Sequence, residues 1–362
     1  MRVFSTTDGD TAIACQYNKA GNFSGGLAAV RKAGKALYID TKGQNAFGIT
    51  FITGRDFIDG YAIASDRYGT GVINNSGLWV IPPKFDRVTV LDPAEGIVVV
   101  ARKNRYGLMS LSGEKLTPLK YEALRKPCDG LMAARSHNSW GFISTMGNVE
   151  IPFRYYDVRN FSCNRAVVNE RGHWGAIDRN NHRVIEFKYG AVSSFSEGIC
   201  FAGVERGLNI MIDTDGVIIS EKNRFRMLKD FSEGKSVIVD DYHDSGFIGR
   251  DGKLLFGRRF SGACSFSGST AVVKEGSEWG IIDDNGAWIV PPSYDSIHDF
   301  VEGRAVVGVL KHEGLADSRG NICIQPEFQS VEMAPYGIIR VRQNGAMGYV
   351  DLAGREIWKP TK

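Results

Sequence analysis

The sequence predicts an all-β chain: a tandem array of about ten repeats of ~34 residues, each of three short strands, stacked as an open superhelix or solenoid. Three observations predict it. An aromatic or apolar position recurs from one end of the 362 residues to the other. Three sets of glycine keep step with it. No stretch sustains a helical apolar period, whereas Val, Ile, Tyr and Phe gather in short runs between the glycines.

The recurring position opens each repeat, at Phe23, Phe57, Pro93, Pro127, Phe161, Phe195, Phe231, Phe266, Phe300 and Ala334, in steps of 34 to 36 residues. Three residues later come Gly26, Gly60, Gly96, Gly130, Asn164, Gly198, Gly234, Ser269, Gly303 and Gly337. A second set follows fourteen or fifteen residues after the lead: Leu37, Gly71, Gly107, Gly141, Gly175, Asn209, Gly246, Gly280, Gly314 and Gly348. Asn stands in for Gly once in each set, and Asn best tolerates a left-handed backbone after Gly itself. Both sets are therefore expected in bulges or turns at positive φ, close backbone packing being the other reason to select Gly.

The third set is Gly9, Gly43, Gly77, Gly113, Gly147, Gly216, Gly252, Gly286, Gly320 and Gly354, with Asn181 standing in once. It usually lies three residues after an Asp, as at Asp40, Asp178, Asp213, Asp283, Asp317 and Asp351. Asp at the first corner and Gly at the fourth mark a type I turn between two strands. The strands so delimited are an Ala-Val-Val type, a Gly-aromatic-Ile-Asp type and an Ile-Pro type running to Tyr-Asp. None is long enough to stand alone, so neighbouring repeats must cover one another's apolar faces.

The pairs Trp140-Gly141, Trp174-Gly175 and Trp279-Gly280, set in this frame, resemble the WG (KWG) repeat family of bacterial proteins. The resemblance spans essentially the whole chain; Trp gives way to Ala36, Tyr106 and Met347 elsewhere, and repeats six and seven depart furthest. It implies a β-rich repeat scaffold and supplies no catalytic residues.

Residues 1–22 read as a partial repeat: Gly9 sits fourteen residues before Phe23 as Gly147 does before Phe161, and Tyr17 matches Tyr155. Residues 23–362 hold ten repeats in one continuous array, 1–362. The chain starts in the second strand of a unit and ends in the third, which favours an open array over a closed β-propeller-like ring. No apolar run reaches signal-peptide or membrane-span length, so the expected setting is cytoplasmic, with no membrane. A longer step ahead of Pro93 reads as an extended turn. The other departure, near 221–229, places Arg224, Phe225 and Arg226 together where the frame breaks. Arg and aromatics are enriched at binding hot spots, so these three are the expected binding residues, against the alternative that Phe225 merely enters the core.

Tests for chemistry return little. Six cysteines, Cys15, Cys128, Cys163, Cys200, Cys264 and Cys323, show no CxxC spacing and read as reduced, mostly buried thiols. Six histidines form no HExxH pair, so no metal site and no cofactor are expected. Asp213, Asp215 and Gly216 begin like a calcium loop, but Arg224 occupies the position of the closing Glu, and the recurring turn accounts for them. Asp86, Glu122, Asp157 and Asp295, near the strand-ending aromatics, read as turn acceptors rather than a functional carboxylate row. A net charge of +3, with basic spots at Arg102, Lys103, Arg105, Arg258 and Arg259 scattered among acids, speaks against a nucleic-acid partner. The expected function is a non-catalytic scaffold binding another protein, such as a toxin, effector or complex subunit, in a bacterial cytoplasm. A glycan or cell-wall binding module, with Trp and Tyr stacking on sugars, is the alternative; an enzyme comes third.

Overall fold

The computed structural model describes residues 2–5, 11–205, 208–224, 227–298, 300, 303–334 and 338–361. Among these residues every regular element is a β-strand. The strands form antiparallel meanders in chain order: seven sheets of four strands, three of three and one of two. In the fourth repeat the strands are Ala123–Leu124, Leu131–Ser136, Ser139–Ser144 and Val149–Tyr155. A complete repeat thus has four strands where three were expected. In six of the seven four-stranded sheets the additional one is two residues long and lies just ahead of the lead position, too short to leave a period in the sequence; in the last it is Ser330–Ala334.

The glycine sets divide by physical cause. Two residues between the first, short strand and the second have positive φ together, as at Asp59 (45°) with Gly60 (83°) and Glu233 (54°) with Gly234 (75°). That is the geometry of a type I′ two-residue hairpin, so the first set needs its handedness as expected. The third set behaves likewise: Gly77, Gly147 and Gly320 lie at φ 76°, 87° and 81°, and Asn181 at 65°.

The second set does not, and the expectation of positive φ there is corrected. Gly141 is in extended strand, and a Cβ on it would lie 2.5 Å from the carbonyl oxygen of Ile151. The same approach recurs at Gly71 to Ile81 (2.3 Å) and Gly314 to Ile324 (2.3 Å). The cause is a wide bulge: Trp140 pairs with Tyr155 and Phe142 with Ile151, so two residues face four. The fourth strand bows toward the third, and Pro152 sits in the bow, where the missing N–H costs no ladder bond. In the sixth repeat the bulge is smaller. There Asn209 pairs directly with Asn223 and Met211 with Ser220, which leaves room for a side chain.

By contacts the chain divides into two compact units, one mainly Asp10–Gly172 with Ala176–Arg183, the other mainly Val184–Lys362. In each, the lead ring of one repeat packs on the preceding repeat. In the first unit Phe161 meets Phe142 edge-on at 4.8 Å and Phe57 meets Tyr38 at 5.0 Å. In the second, Phe231 stacks on Phe201 at 5.7 Å and Phe266 meets Phe247 edge-on at 5.0 Å. Core is therefore made between repeats, which is why a single repeat cannot fold alone.

Candidate interaction surface

An antiparallel meander sends its connections alternately to two ends of the sheet. One end carries the hairpins between the first and second strands and the Asp-x-x-Gly turns. The Asp turns form as expected: Asp317 Oδ1 accepts from the N–H groups of Arg319 and Asn321 at 2.9 and 2.8 Å, and Gly320 N–H donates to the Asp317 carbonyl at 3.0 Å. Asp213 does the same toward Asp215 and Val217, so its resemblance to a calcium loop is the common turn. Acidic residues in the hairpins, a feature the sequence reading missed, bind the next repeat. Asp129 Oδ2 accepts from Asn164 N–H at 3.0 Å, and Glu233 accepts from the N–H groups of Gly268 and Ser269 at 2.7 and 2.9 Å. Acids two residues after the lead, at Asp59, Glu95, Asp129, Glu197 and Glu233, were the available signal.

Three of the turn carboxylates, those of Asp178, Asp317 and Asp351, titrate low. For Asp178, Asp317 and Asp351 partial burial works against ionisation, but hydrogen bonds from the side chains and backbone of His182, Asn321 and Arg355, with further N–H groups, outweigh it. A folded-state pKa below the unfolded one gives stability that is present above the unfolded carboxylate range near pH 4 and lost as pH falls through the folded value. Urea midpoints are expected to hold from neutral pH to about 5 and to drop below about 4. Asp317→Asn keeps the cap, as Asn74 does natively toward Ser76 and Leu78, and should make the acid limb shallower. An unchanged acid limb in the combined 178, 317 and 351 Asn variant would contradict this.

The opposite end carries the hairpins between the second and third strands and the exits of the fourth strands. Here the carboxylates near the strand-ending aromatics are accounted for. Asp86 Oδ2 accepts from Lys103 N–H (2.7 Å), Glu122 Oε2 from Asn138 N–H (3.1 Å) and Asp295 Oδ2 from Leu310 N–H (2.6 Å). Asp157 accepts from Val158 N–H at 2.8 Å and faces Arg125 at 3.5 Å. Each of the first three pins the hairpin tip of the following repeat. Acids so engaged are structural acceptors.

These tips present large apolar side chains to water. In the first unit Tyr68 is 68% exposed, its N–H held by Asp66 at 2.8 Å, and Tyr156, at a fourth-strand exit, is 77% exposed. In the second unit Tyr242 is 87% exposed, its N–H held by Asp240 at 3.0 Å, and Leu310 is 80% exposed. Among the described residues the exposed aromatics are these three Tyr, all at tip ends; the turn ends expose the aliphatic Leu78, Met146 and Val217. The sequence reading passed over them, although the slot ten or eleven after the lead reads Gly34, Asn104, Asn138 or Gly172 in other repeats. A Tyr there has no core to serve.

Of the residues expected to bind, Arg224 lies at a fourth-strand exit, the same end of its sheet as the hairpin tips. Arg224 ends the strand Ile218–Arg224 and pairs with Leu208, and the next strand, Met227–Leu228, pairs with Val239 and Ile238. The segment expected as a departure from the frame is strand on both sides. Phe225 and Arg226 lie outside the described residues.

The rings of Trp140, Trp174 and Trp279 are half-buried. Arg125 lies over Trp140 at 4.3 Å and Lys274 over Trp279 at 5.7 Å. Among the thiols of the described residues Cys200 is fully buried, while Cys128, Cys163, Cys264 and Cys323 are partly exposed, which corrects the expectation of mostly buried ones. Burial, with the charge of Asp213, pushes the Cys200 thiol up to about 12, so it is not a nucleophile. No group of three His, Cys, Asp or Glu able to hold a metal occurs among the described residues, and no helix there is long and apolar enough to cross a membrane.

With this geometry in hand, the family model described as "WG containing repeat" matches residues 4–35, 71–105, 140–172, 174–207, 279–309 and 314–345. No curated protein matches the chain in sequence. Among solved structures, the chain is similar to a eukaryotic initiation factor at 10% identity, covering 82% of this chain and 94% of that one with a TM-score of 0.48. It is also similar to BamB from Moraxella catarrhalis (12% identity, 73% and 93% covered, TM-score 0.37) and Hsv2p from Kluyveromyces lactis (10%, 63% and 92%, TM-score 0.35).

Proposed function

Because the chain belongs to the WG-containing repeat family, we propose that it is a non-catalytic β-repeat scaffold that binds another protein through its hairpin tips. The observation that carries this reading is the collection of Tyr68, Tyr156, Tyr242 and Leu310 at one type of sheet end, on connections whose backbone is largely held by carboxylates. Exposed aromatics on a pre-set backbone lose little entropy on binding, and Tyr is enriched at hot spots. The proposed setting is a bacterial cytoplasm, and the proposed partner a toxin, effector or complex subunit.

The experiment is capture from the native cell followed by mass spectrometry, with wild type beside two variants. Replacing Tyr68, Tyr156, Tyr242 and Leu310 by Ser should leave the melting temperature within a few degrees and release the partner, since each hot-spot loss costs roughly 2 kcal/mol. Arg224→Ala with Arg226→Ala asks whether the frame-breaking segment contributes. A tip variant that keeps every partner sinks the proposal. The open form of the array is proposed on the repeat frame alone; small-angle scattering that fits a closed ring would exclude it.

The glycan reading has less support. At the Trp positions a sugar would need a free aromatic face, and those of Trp140 and Trp279 are approached by Arg125 and Lys274; sugar stacking on the exposed Tyr rings is tested by a peptidoglycan pull-down with the same tip variant.

A further inference from the structure

The third repeat departs from the frame within its own sheet, and a cavity opens there. In other repeats the residue that faces the third strand across the bulge is Ile81, Ile151 or Ile324, each buried in the core. In the third repeat its place is taken by Thr117, four residues before Tyr121 as Ile81 is four before Phe85. Thr117 is 4% exposed and accepts a hydrogen bond from Leu108 N–H at 2.9 Å. The return chain after the turn forms no regular strand; isolated bridges join Tyr106 to Tyr121 and Met109 to Lys115.

Beside this return lies a cavity of about 320 Å³, wholly within the first unit. Its floor is apolar: Phe85, Val100, Met109, Pro118 and Leu119. Lys84, Arg102 and Lys115 also line it, and no Asp or Glu does. All three cations are exposed, and none has an acidic partner among the described residues. The nearest acid in sequence to Lys84, Asp86, is engaged by Lys103 N–H. The volume is at the small end of ligand sites, enough for one ring and one head group.

From this arrangement we infer that the cavity binds a small organic phosphate, with a flat apolar body on the Phe85–Leu119 floor and its phosphate among Lys84, Arg102 and Lys115. Three cations without carboxylate partners match a dianion better than a monoanion. The Thr117 hydroxyl, which accepts from Leu108, retains a proton to donate at the cavity wall. A phosphate without the apolar body would leave the floor in water, and a neutral ring would leave the charges unmet. The inference is independent of the protein partner, since it uses none of the hairpin-tip side chains.

Phenyl phosphate is the probe, titrated calorimetrically into the full chain, with inorganic phosphate, phenol and benzoate as comparators. Saturable binding is expected for phenyl phosphate, at least tenfold weaker for each comparator. Lys84→Ala, Arg102→Ala and Lys115→Ala should each weaken it about tenfold, the loss typical of one charge-assisted bond. Thr117→Ile, which restores the residue of the other repeats and fills the cavity, should abolish binding; the protein should still unfold cooperatively, at a melting temperature lowered by a few degrees because Leu108 N–H loses its acceptor. The inference is overturned if phenyl phosphate does not saturate, if inorganic phosphate binds equally well, or if the triple cation variant, folded by its melting curve, binds like wild type. Retained binding in a folded Thr117→Ile variant would place the probe elsewhere and overturn it too.

Discussion

Gly141→Val is expected to lower stability by about 3 kcal/mol or more, and Gly175→Val by a similar amount. At Gly141 a Cβ would sit 2.5 Å from the Ile151 carbonyl oxygen and 2.9 Å from atoms of Pro152; at Gly175 it would meet Ile185 O at 2.5 Å and the Phe187 ring at 2.3 Å. The first contacts are backbone, fixed by the bulge, so nothing flexible can move aside. Gly60→Ala is a different case: its φ is 83° but space around it is open, so only the left-handed strain of about 1–2 kcal/mol applies. Asn209→Gly should change stability by about 1 kcal/mol at most, because Asn209 faces Asn223 in a smaller bulge. Urea unfolding of the four variants should rank them in that order. Equal losses at Gly141 and Gly60 would show that handedness, not close approach, governs both sets.

The second large effect is expected at the lead rings. Phe266→Ala should cost about 3–5 kcal/mol, since the ring is 1% exposed and forms the join with Phe247 of the preceding repeat. A double-mutant cycle with Phe247→Ala should show a coupling of about 1 kcal/mol, the extra of an edge-on aromatic pair. Trp140→Ala should cost less, about 1–2 kcal/mol, because its ring is half in water under Arg125. A larger loss at Trp140 than at Phe266 would return the core to the Trp rings.

The contrast between Phe266 and Trp140 shows what the residues alone could convey. Period, lead aromatics and Asp turns are local and repeated, so ten noisy copies average into a clear register. The reason for each glycine is another matter. Gly60 and Gly141 look alike in sequence, yet one answers to its own φ and the other to a carbonyl on a strand ten residues away. Strands of two residues, such as Ala123–Leu124, carry no period to detect. Sites are harder still, because a binding site breaks the frame and averaging discards it. Tyr68, Tyr242 and Thr117 each break it by one residue, a weaker signal than the longer departure around Arg224. The structure singles them out by exposure at the tips and by the cavity beside Thr117.

The central claim, that the hairpin tips carry recognition, is tested most directly by hydroxyl-radical footprinting of the captured complex against the free chain. Tyr and Met oxidise readily, so Tyr68, Tyr156 and Tyr242 report on the tip ends, and Met146, 65% exposed, on a turn end. The account predicts protection of at least one of those Tyr residues on binding, with Met146 still open to oxidation. Protection of Met146 with all three Tyr unchanged would contradict it.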